Sequence, residues 1–503
     1  MMRYNKNVLL ISFTVFLITS CEVGPDYVRP TVTTPVAFKE AKGNKDWKVA
    51  APCDDKDRGE WWKIFHDPEL NHLEDQLNHS NQTILNAAAN YEEAKALVDE
   101  ARANYFPTLV GTATLTREKQ SSGSSSFVSS STTGTATSTQ TGTATSTSGS
   151  SPSNNISTTH SLVLDGTWEP DMWGSVRRSV EASQAGAESS AALLASTRLS
   201  QQASLAQYYF ELRGIDTDQK ILNDTVAGDQ RSLALTRHQY KSGVAALADV
   251  VQAQSALEAA QAAAINNGIT RAQYEHAIAV LIGVPPADFA LLPSPSNIAP
   301  PAIPLEVPSA LLERRPDIAQ AERLMAQANA QIGVAIAAYF PTLTLNASAT
   351  MNGQNYNRWF SMPNLGWSYG PQLAETILDG GLRKATVAAS RATYQASVAS
   401  YRQTVLTAFQ DVEDNLASLR ILKDEAVVQE KAVASARLAL RLVINQYKSG
   451  TVPYSSVITA QLTAYTAEKN AADINYLRMT AAVGLIKALG GGWDRELPYR
   501  VGT

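Results

Sequence analysis

The chain has 503 residues, 42 basic against 47 acidic, for a net charge of −5. That length holds two to four ordinary domains or one large elongated one. The mild charge, with no long basic cluster, excludes the electrostatic footprint of a nucleic-acid binder, and the two cysteines, Cys21 and Cys53, are too few for a disulfide framework and match no CxxC spacing.

The chain opens on MMRYNKNVLLISFTVFLITS: Arg3 and Lys6, an apolar run from Val8 to Ile18, then small residues. This reads as an export signal over residues 1–20, too short for a spanning helix. It ends in ITSC, which resembles the lipobox of bacterial lipoproteins, where the signal is cut before a cysteine that then carries lipid. Cys21 is therefore the expected lipidation site and the first residue of a lipid-anchored extension over 21–65; the alternative is a plain secretory signal with an incidental cysteine. Glu22 follows, where an aspartate commonly retains such lipoproteins in the inner membrane, so outer-membrane lipid is the expected surroundings. After Cys21 no run of eighteen apolar residues occurs, and a membrane crossing must be made by strands. Cys53 has no visible partner and no assigned role.

Two halves follow, a first repeat over 66–284 and a second over 309–497, with a tail over 498–503. Each half contains a matching segment, ANYFPTLVGTATLT at 103–116 and AAYFPTLTLNASATMN at 337–352. In the later copy Leu343, Leu345, Ala347, Ala349 and Met351 alternate with Thr342, Thr344, Asn346, Ser348 and Thr350. A period of two over about ten residues, led by Tyr339 and Phe340 (Tyr105 and Phe106 in the first copy), fits a transmembrane β-strand with an aromatic girdle. A half-buried strand of a soluble sheet has the same alternation. SLVLDGTWEP at 161–170 and GWSYGPQLAE at 366–375 are the expected partner strands, giving four per chain. Closed membrane barrels need about eight or more, so four strands must be pooled with those of other copies.

After WGSVRRS at 173–179 and DGGLRKA at 379–385, proline disappears, from Pro170 to Pro285 and from Pro371 to Pro453. These stretches predict long helices. A helix from Ser175 to Tyr240 would extend about 100 Å, several times a bilayer and enough to cross a periplasm. In the second half Val398, Val405, Val412, Leu419, Ala426, Val433, Leu440 and Tyr447 share one heptad position, the seam of helix-on-helix packing. Arg198 and Gln219 interrupt that register in the first half. QYKSG then occurs twice, at 239–243 and 446–450, where each long helix ends. Gly243 and Gly450 suit the left-handed conformation of a helix stop, and helical patterns resume at once, so each pentapeptide is the bend of a helical hairpin. Residues 121–159, almost wholly serine, threonine, glycine and asparagine, read as a loop at the barrel mouth, and residues 285–308, with eight prolines, as an extended linker between the halves.

These features resemble the TolC-like outer-membrane efflux proteins, within them the lipid-anchored OprM and NodT branch, over nearly the whole mature chain. The resemblance is carried by CEVGPDY at 21–27, WWKIFHDPELNHLEDQLNHSNQTILNAAA at 61–89, LLERRPDIAQAE at 311–322, both YFPTL segments, both QYKSG bends and IKALGGGW at 486–493. It implies an α+β membrane protein: a homotrimer with a twelve-stranded barrel, four strands from each chain, on an α-helical periplasmic tunnel. It also implies an exit duct that passively conducts substrates, whose bends meet a periplasmic adaptor protein and through it an inner-membrane pump. Tyr240, Lys241, Ser242, Gly243, Tyr447, Lys448, Ser449 and Gly450 are then the adaptor-docking tips. Tyr240 and Tyr447 either pack the paired helices or narrow the pore. Where the family pattern often has aspartates after the second bend, this chain has Val452 and Thr459, and its nearest acid is Asp249 after the first bend. Asp249 is either one member of an acidic gate ring or a partner of its helix dipole.

Two rival functions stand against this reading. An enzyme is disfavoured: His66, His72 and His79 show no HExxH pattern, and neither a GxSxG elbow nor a Gly-rich phosphate loop occurs, so no catalytic residue, metal or cofactor is expected. A structural stalk or surface adhesin lipoprotein without an open channel is the other, but a stalk has no need of two strand pairs at equivalent points. Trp61 and Trp62 are expected to be packing anchors, and Arg314, Arg315, Asp317 and Glu322 to secure the start of a helix after Pro316.

Overall fold

The structure is a computed structural model and describes residues 22–32, 34–35, 38–40, 59–119, 156–295, 300–301, 314–354, 356 and 358–491. The export signal, Cys21, Cys53, most of the Ser/Thr tract, linker residues 296–299 and 302–308, and the tail at 498–503 lie outside them. Helices α1 (Pro68–Ser80) and α2 (Gln82–Ala103) precede strands β1 (Thr108–Lys119) and β2 (Ile156–Trp168), then α3 (Ser175–Lys241) and α4 (Leu247–Leu281). The second half runs α5 (Pro316–Ala337), β3 (Thr342–Gly353), β4 (Leu365–Ala374), α6 (Leu382–Lys448) and α7 (Tyr454–Ala488). Four element pairs of the duplication match in length, α2 and α5 with 22 residues each, β1 and β3 with 12, α3 and α6 with 67, α4 and α7 with 35, while β2 has 13 and β4 has 10. At 1.5 Å per residue α3 and α6 are each about 100 Å long. No described helix is long and apolar enough to cross a membrane.

The chain divides into two compact units that cut across the halves. One gathers residues 100–177 and 334–385 with the segment up to Val23; the other gathers 24–99, 178–333 and 386–503. The first unit is built on one antiparallel sheet of order β1-β2-β3-β4. Pairing β2 with β3 joins the halves, and β1 and β4 are left as edges. Residues directly opposite in a ladder share a face. Leu109, Gly166, Ala347 and Tyr369 therefore lie in one row, Gly111, Leu164, Ala349 and Trp367 in the next, and Ala113, Leu162, Met351 and Leu365 beyond them. Over these rows that face is apolar, and His160, Arg117 and Thr158 follow on it toward the far end of β1 and β2. The other carries Thr108, Thr167 and Asn346, then Asp165, Ser348 and Ser368, and is mainly polar.

In the second unit the four long helices pack as two antiparallel hairpins. Asn267 on α4 donates to Ile215 O of α3 at 3.2 Å, and Gln429 on α6 donates to Ala467 O of α7 at 2.8 Å. Gln461 on α7 reaches Asp229 on α3 at 2.8 Å, linking the pairs. Val405 and Val412 of the expected seam are fully buried, and Tyr447 closes it at 6 % exposure. The first half keeps its own register, one residue away from exposed Arg198: Ala185, Ala192, Leu199, Ala206 and Arg213 are all buried at heptad spacing. Arg213 is tolerated there because it pairs with buried Asp216 at 3.1 Å, which Arg271 of α4 also meets at 2.8 Å.

Three expectations need correction. Residues 156–159 of the Ser/Thr tract are the start of β2, since Thr159 and Thr158 find ladder partners in Thr116 and Arg117. The described start of the proline-rich linker is not simply extended: Pro286–Asp288 form a 3-10 turn, and Leu291 and Ser294 are tied back to Glu275 and Asp216. Glu322 does not serve the first turns of its helix; it is 3 % exposed, accepts the Tyr27 hydroxyl at 2.7 Å and pairs with Arg323.

Candidate functional site

Both QYKSG bends are Schellman motifs in the same register. In the first, Gly243 N–H donates to Tyr240 O at 2.9 Å and Val244 N–H to Gln239 O at 2.9 Å. In the second, Gly450 N–H donates to Tyr447 O at 3.0 Å and Thr451 N–H to Gln446 O at 3.0 Å. Gly243 has φ +75° and Gly450 +71°, with open space where a side chain would stand. Ser242 and Ser449 hydroxyls back-bond to His238 O and Asn445 O, both at 3.0 Å, which satisfies carbonyls at the frayed helix ends. Lys241 and Lys448 are the last helical residues, both exposed, with their charge at the negative end of the dipole.

Identical pentapeptides nevertheless sit in different surroundings. Tyr447 is 6 % exposed and meets Tyr454 edge-on at 5.2 Å, in a small core with Leu233, Ala253, Leu257 and Val457. Tyr240 is 45 % exposed. The first residues of the following helices differ likewise, Tyr454 at 1 % and Leu247 at 56 %. The second bend is thus the buried buttress of the tip, and the first presents Tyr240, Val244 and Leu247 outward in the single chain. Tyr447 packs helices. Burial, then the charge of Asp229, pushes the Tyr454 phenol up to about 12. Asp249 lies half-buried in the first turn of α4, where the N-cap, Ala246, offers no side-chain acceptor, so its carboxylate complements the helix dipole.

The segments that carry the family resemblance prove to be joints, and several meet each other. Arg315 donates to Ala488 O at the end of α7, to Asp317 at 2.7 Å and to Asp411 of α6 at 3.0 Å. A Cβ on Gly490, in IKALGGGW, would come within 2.8 Å of Arg314 O, which explains glycine at that crossing. In the CEVGPDY segment, Asp26 pairs with Arg178 at 2.9 Å, Pro25 O accepts from Asn329 at 2.9 Å, and Tyr27 bonds Glu322. Trp61 and Trp62 are buried in the largest core, with the Trp61 indole on Gln202 at 3.2 Å, and are packing anchors as expected. His72 lies 3.0 Å from Gln76, and the His79 ring contacts Asp75 O at 2.8 Å.

Sequence reasoning missed the strand-to-helix joints. Asp171 accepts from Val176 N–H, Arg177 N–H and the Arg177 side chain ahead of α3. Asp379 does the same for Gly381 and Arg383 ahead of α6, and Arg383, then those backbone N–H groups, holds its carboxyl down to about 2. The signal was present: DMWGSVR at 171–177 and DGGLR at 379–383 each carry an aspartate, then a glycine, then an arginine.

The family model described as outer membrane efflux protein matches residues 73–284 and 307–491. The probable efflux pump outer membrane protein TtgC of Pseudomonas putida is 30% identical over 500 residues, covering 98% of this chain and 96% of that protein. The probable outer membrane lipoprotein SilC of Salmonella typhimurium is 25% identical over 491 residues, covering 96% and 98%. The solved structure of the outer-membrane channel OprN superposes with a TM-score of 0.78 at 28% identity, covering 94% of this chain and 100% of that one. With the family matched across both halves and the fold shared end to end, the chain belongs to the outer membrane efflux proteins, channels of the outer membrane in tripartite efflux systems and not an enzyme family.

Proposed function

We propose that three copies of this chain pool their sheets into one twelve-stranded barrel, the exit duct through which substrates leave the cell. The observation that carries this reading is the sheet itself: a face apolar over three successive rows, a mainly polar face opposite, and edges at β1 and β4 with no partner strand among the described residues. In hydrocarbon each unpaired backbone group costs several kcal/mol, so the edges must be closed by other chains. The apolar face then meets lipid and the polar face lines the channel. Helices of about 100 Å supply the periplasmic conduit, and the bends at 240–243 and 447–450 form its inner mouth, which docks a periplasmic adaptor that leads to an inner-membrane pump. Cys21 carries the lipid anchor, in keeping with the lipobox and with a relative named as a lipoprotein. In such a ring Asp249 sets one negative charge per chain beside the first bend; lower cation conductance in Asp249→Ala supports a gate role, and unchanged conductance leaves it a dipole partner.

The test is mass and conductance together. Detergent-purified protein should have a mass near three protomers and open ion channels in planar bilayers. A monomeric mass with intact conductance refutes the shared barrel, and a trimer without conductance would instead suit a stalk or adhesin.

A further inference from the structure

The apolar face of the sheet has a groove of about 330 Å³. Trp168, Leu345, Tyr369 and Pro371 wall it, and the small residues Gly166 and Ala347, opposed across the β2/β3 ladder, create the depression between them. Its lining is almost wholly apolar. The Trp168 ring is held in place by its indole N–H, which donates to Tyr105 O at 2.9 Å. Because β2 and β3 are the inner strands, closing the β1 and β4 edges with other chains leaves this groove uncovered.

The start of the described chain lies at the foot of the same sheet. Val23 N–H donates to Trp173 O at 3.2 Å, and Glu22 packs so tightly on Gly174 that a Cβ there would fall 2.9 Å from Glu22 Cγ. Trp173 in turn stacks on Phe340 at 4.8 Å and donates to Pro341 O, just before β3. Trp168 lies five positions before Trp173, at most about 18 Å of chain, and a turn from Met172 N–H to Pro170 O shortens it. An acyl chain fills one leaflet, about half of the ~30 Å hydrocarbon core. A lipid on the residue before Glu22 therefore has the reach to enter the groove.

We propose that this groove seats an acyl chain carried by Cys21, so that the anchor lies along the outer face of its own sheet. The proposal rests on the reading of Cys21 as lipidated. Bulk phospholipid offers the same chemistry, and the test separates the two sources.

Cells expressing the full chain would be fed a fatty acid bearing a photoreactive diazirine, irradiated, and the purified protein digested and mapped by mass spectrometry. The wild type should carry label on its N-terminal peptide, with crosslinks concentrated at peptides containing Trp168, Leu345 or Tyr369. Cys21→Ala, which removes the attached chain but leaves labelled phospholipid in the membrane, should lower those crosslinks at least fivefold. Ala347→Phe, which fills the groove, should lower them similarly with N-terminal label intact; Gly166→Leu serves if Ala347→Phe fails to assemble. Groove crosslinks that persist in Cys21→Ala assign the groove to phospholipid and overturn the proposal, as do crosslinks spread evenly over the sheet. A wild type without N-terminal lipid defeats the lipidation reading itself, a separate outcome visible in the mass of that peptide.

Discussion

Tyr447→Ala and Tyr240→Ala remove the same side chain from the same pentapeptide, and the structure sets their effects far apart. Tyr447 is 6 % exposed, rests on Tyr454 and completes the small core under the second bend. Deleting a buried aromatic ring ordinarily costs about 3–5 kcal/mol through lost transfer energy and the cavity left behind. Tyr240 is 45 % exposed, and its loss should stay within about 1 kcal/mol. The tip forms a local cluster, so the cost should appear as local opening before global unfolding. Amide hydrogen exchange on the detergent-purified protein, read over peptides spanning 229–257 and 443–461, would measure it. At about 3 kcal/mol, exchange in Tyr447→Ala should quicken roughly a hundredfold, while Tyr240→Ala stays within about fivefold. Equal acceleration by the two variants, or a larger effect at Tyr240, would refute the assignment of the second bend as the buttress.

Gly450→Val and Gly243→Val force a β-branched residue into the left-handed region at a cost of about 1–2 kcal/mol, with no clash because nothing lies within 4 Å; trimers should form while efflux and adaptor crosslinking fall, and unimpaired efflux would make the bends ordinary loops. Burial pushes the Asp218 carboxyl up to about 6, with Lys469 pulling it back and Asp473 adding to the rise, against 3.8 when unfolded. The folded state therefore holds that proton longer, so the stability this group gives at low pH is lost as pH rises through 6, a cost of up to about 3 kcal/mol. Asp218→Asn should raise the melting temperature at pH 7.5 and not at pH 4, and an equal gain at both would contradict that account. Arg315→Ala leaves Asp317, Asp411 and Ala488 O without their shared donor and should cost about 3–5 kcal/mol; a melting curve unchanged from wild type would rule out Arg315 as the joint of α5, α6 and α7.

The period-two run from Thr342 to Met351, the proline-free stretches and the glycine after each QYKSG were legible in the sequence because each reports a local rule: side-chain alternation, an uninterrupted backbone ladder, a positive φ that only glycine adopts at little cost. Helix ends at Lys241 and Lys448 follow from those rules alone. What the sequence left open were matters of distant partners. The letters around Tyr240 and Tyr447 are identical, and only the packing of Tyr454 and Val457 against Leu233 and Leu257 buries one and exposes the other. Glu322 looked like a helix-start residue until the fold brought Tyr27 to it across 295 positions. The seam of α3 passes one residue from Arg198 because Arg271, on the neighbouring helix, makes a buried Asp216 and Arg213 affordable. Local conformation is set within a few residues, whereas burial is set by whichever chain segment arrives from elsewhere, and that only the tertiary structure decides.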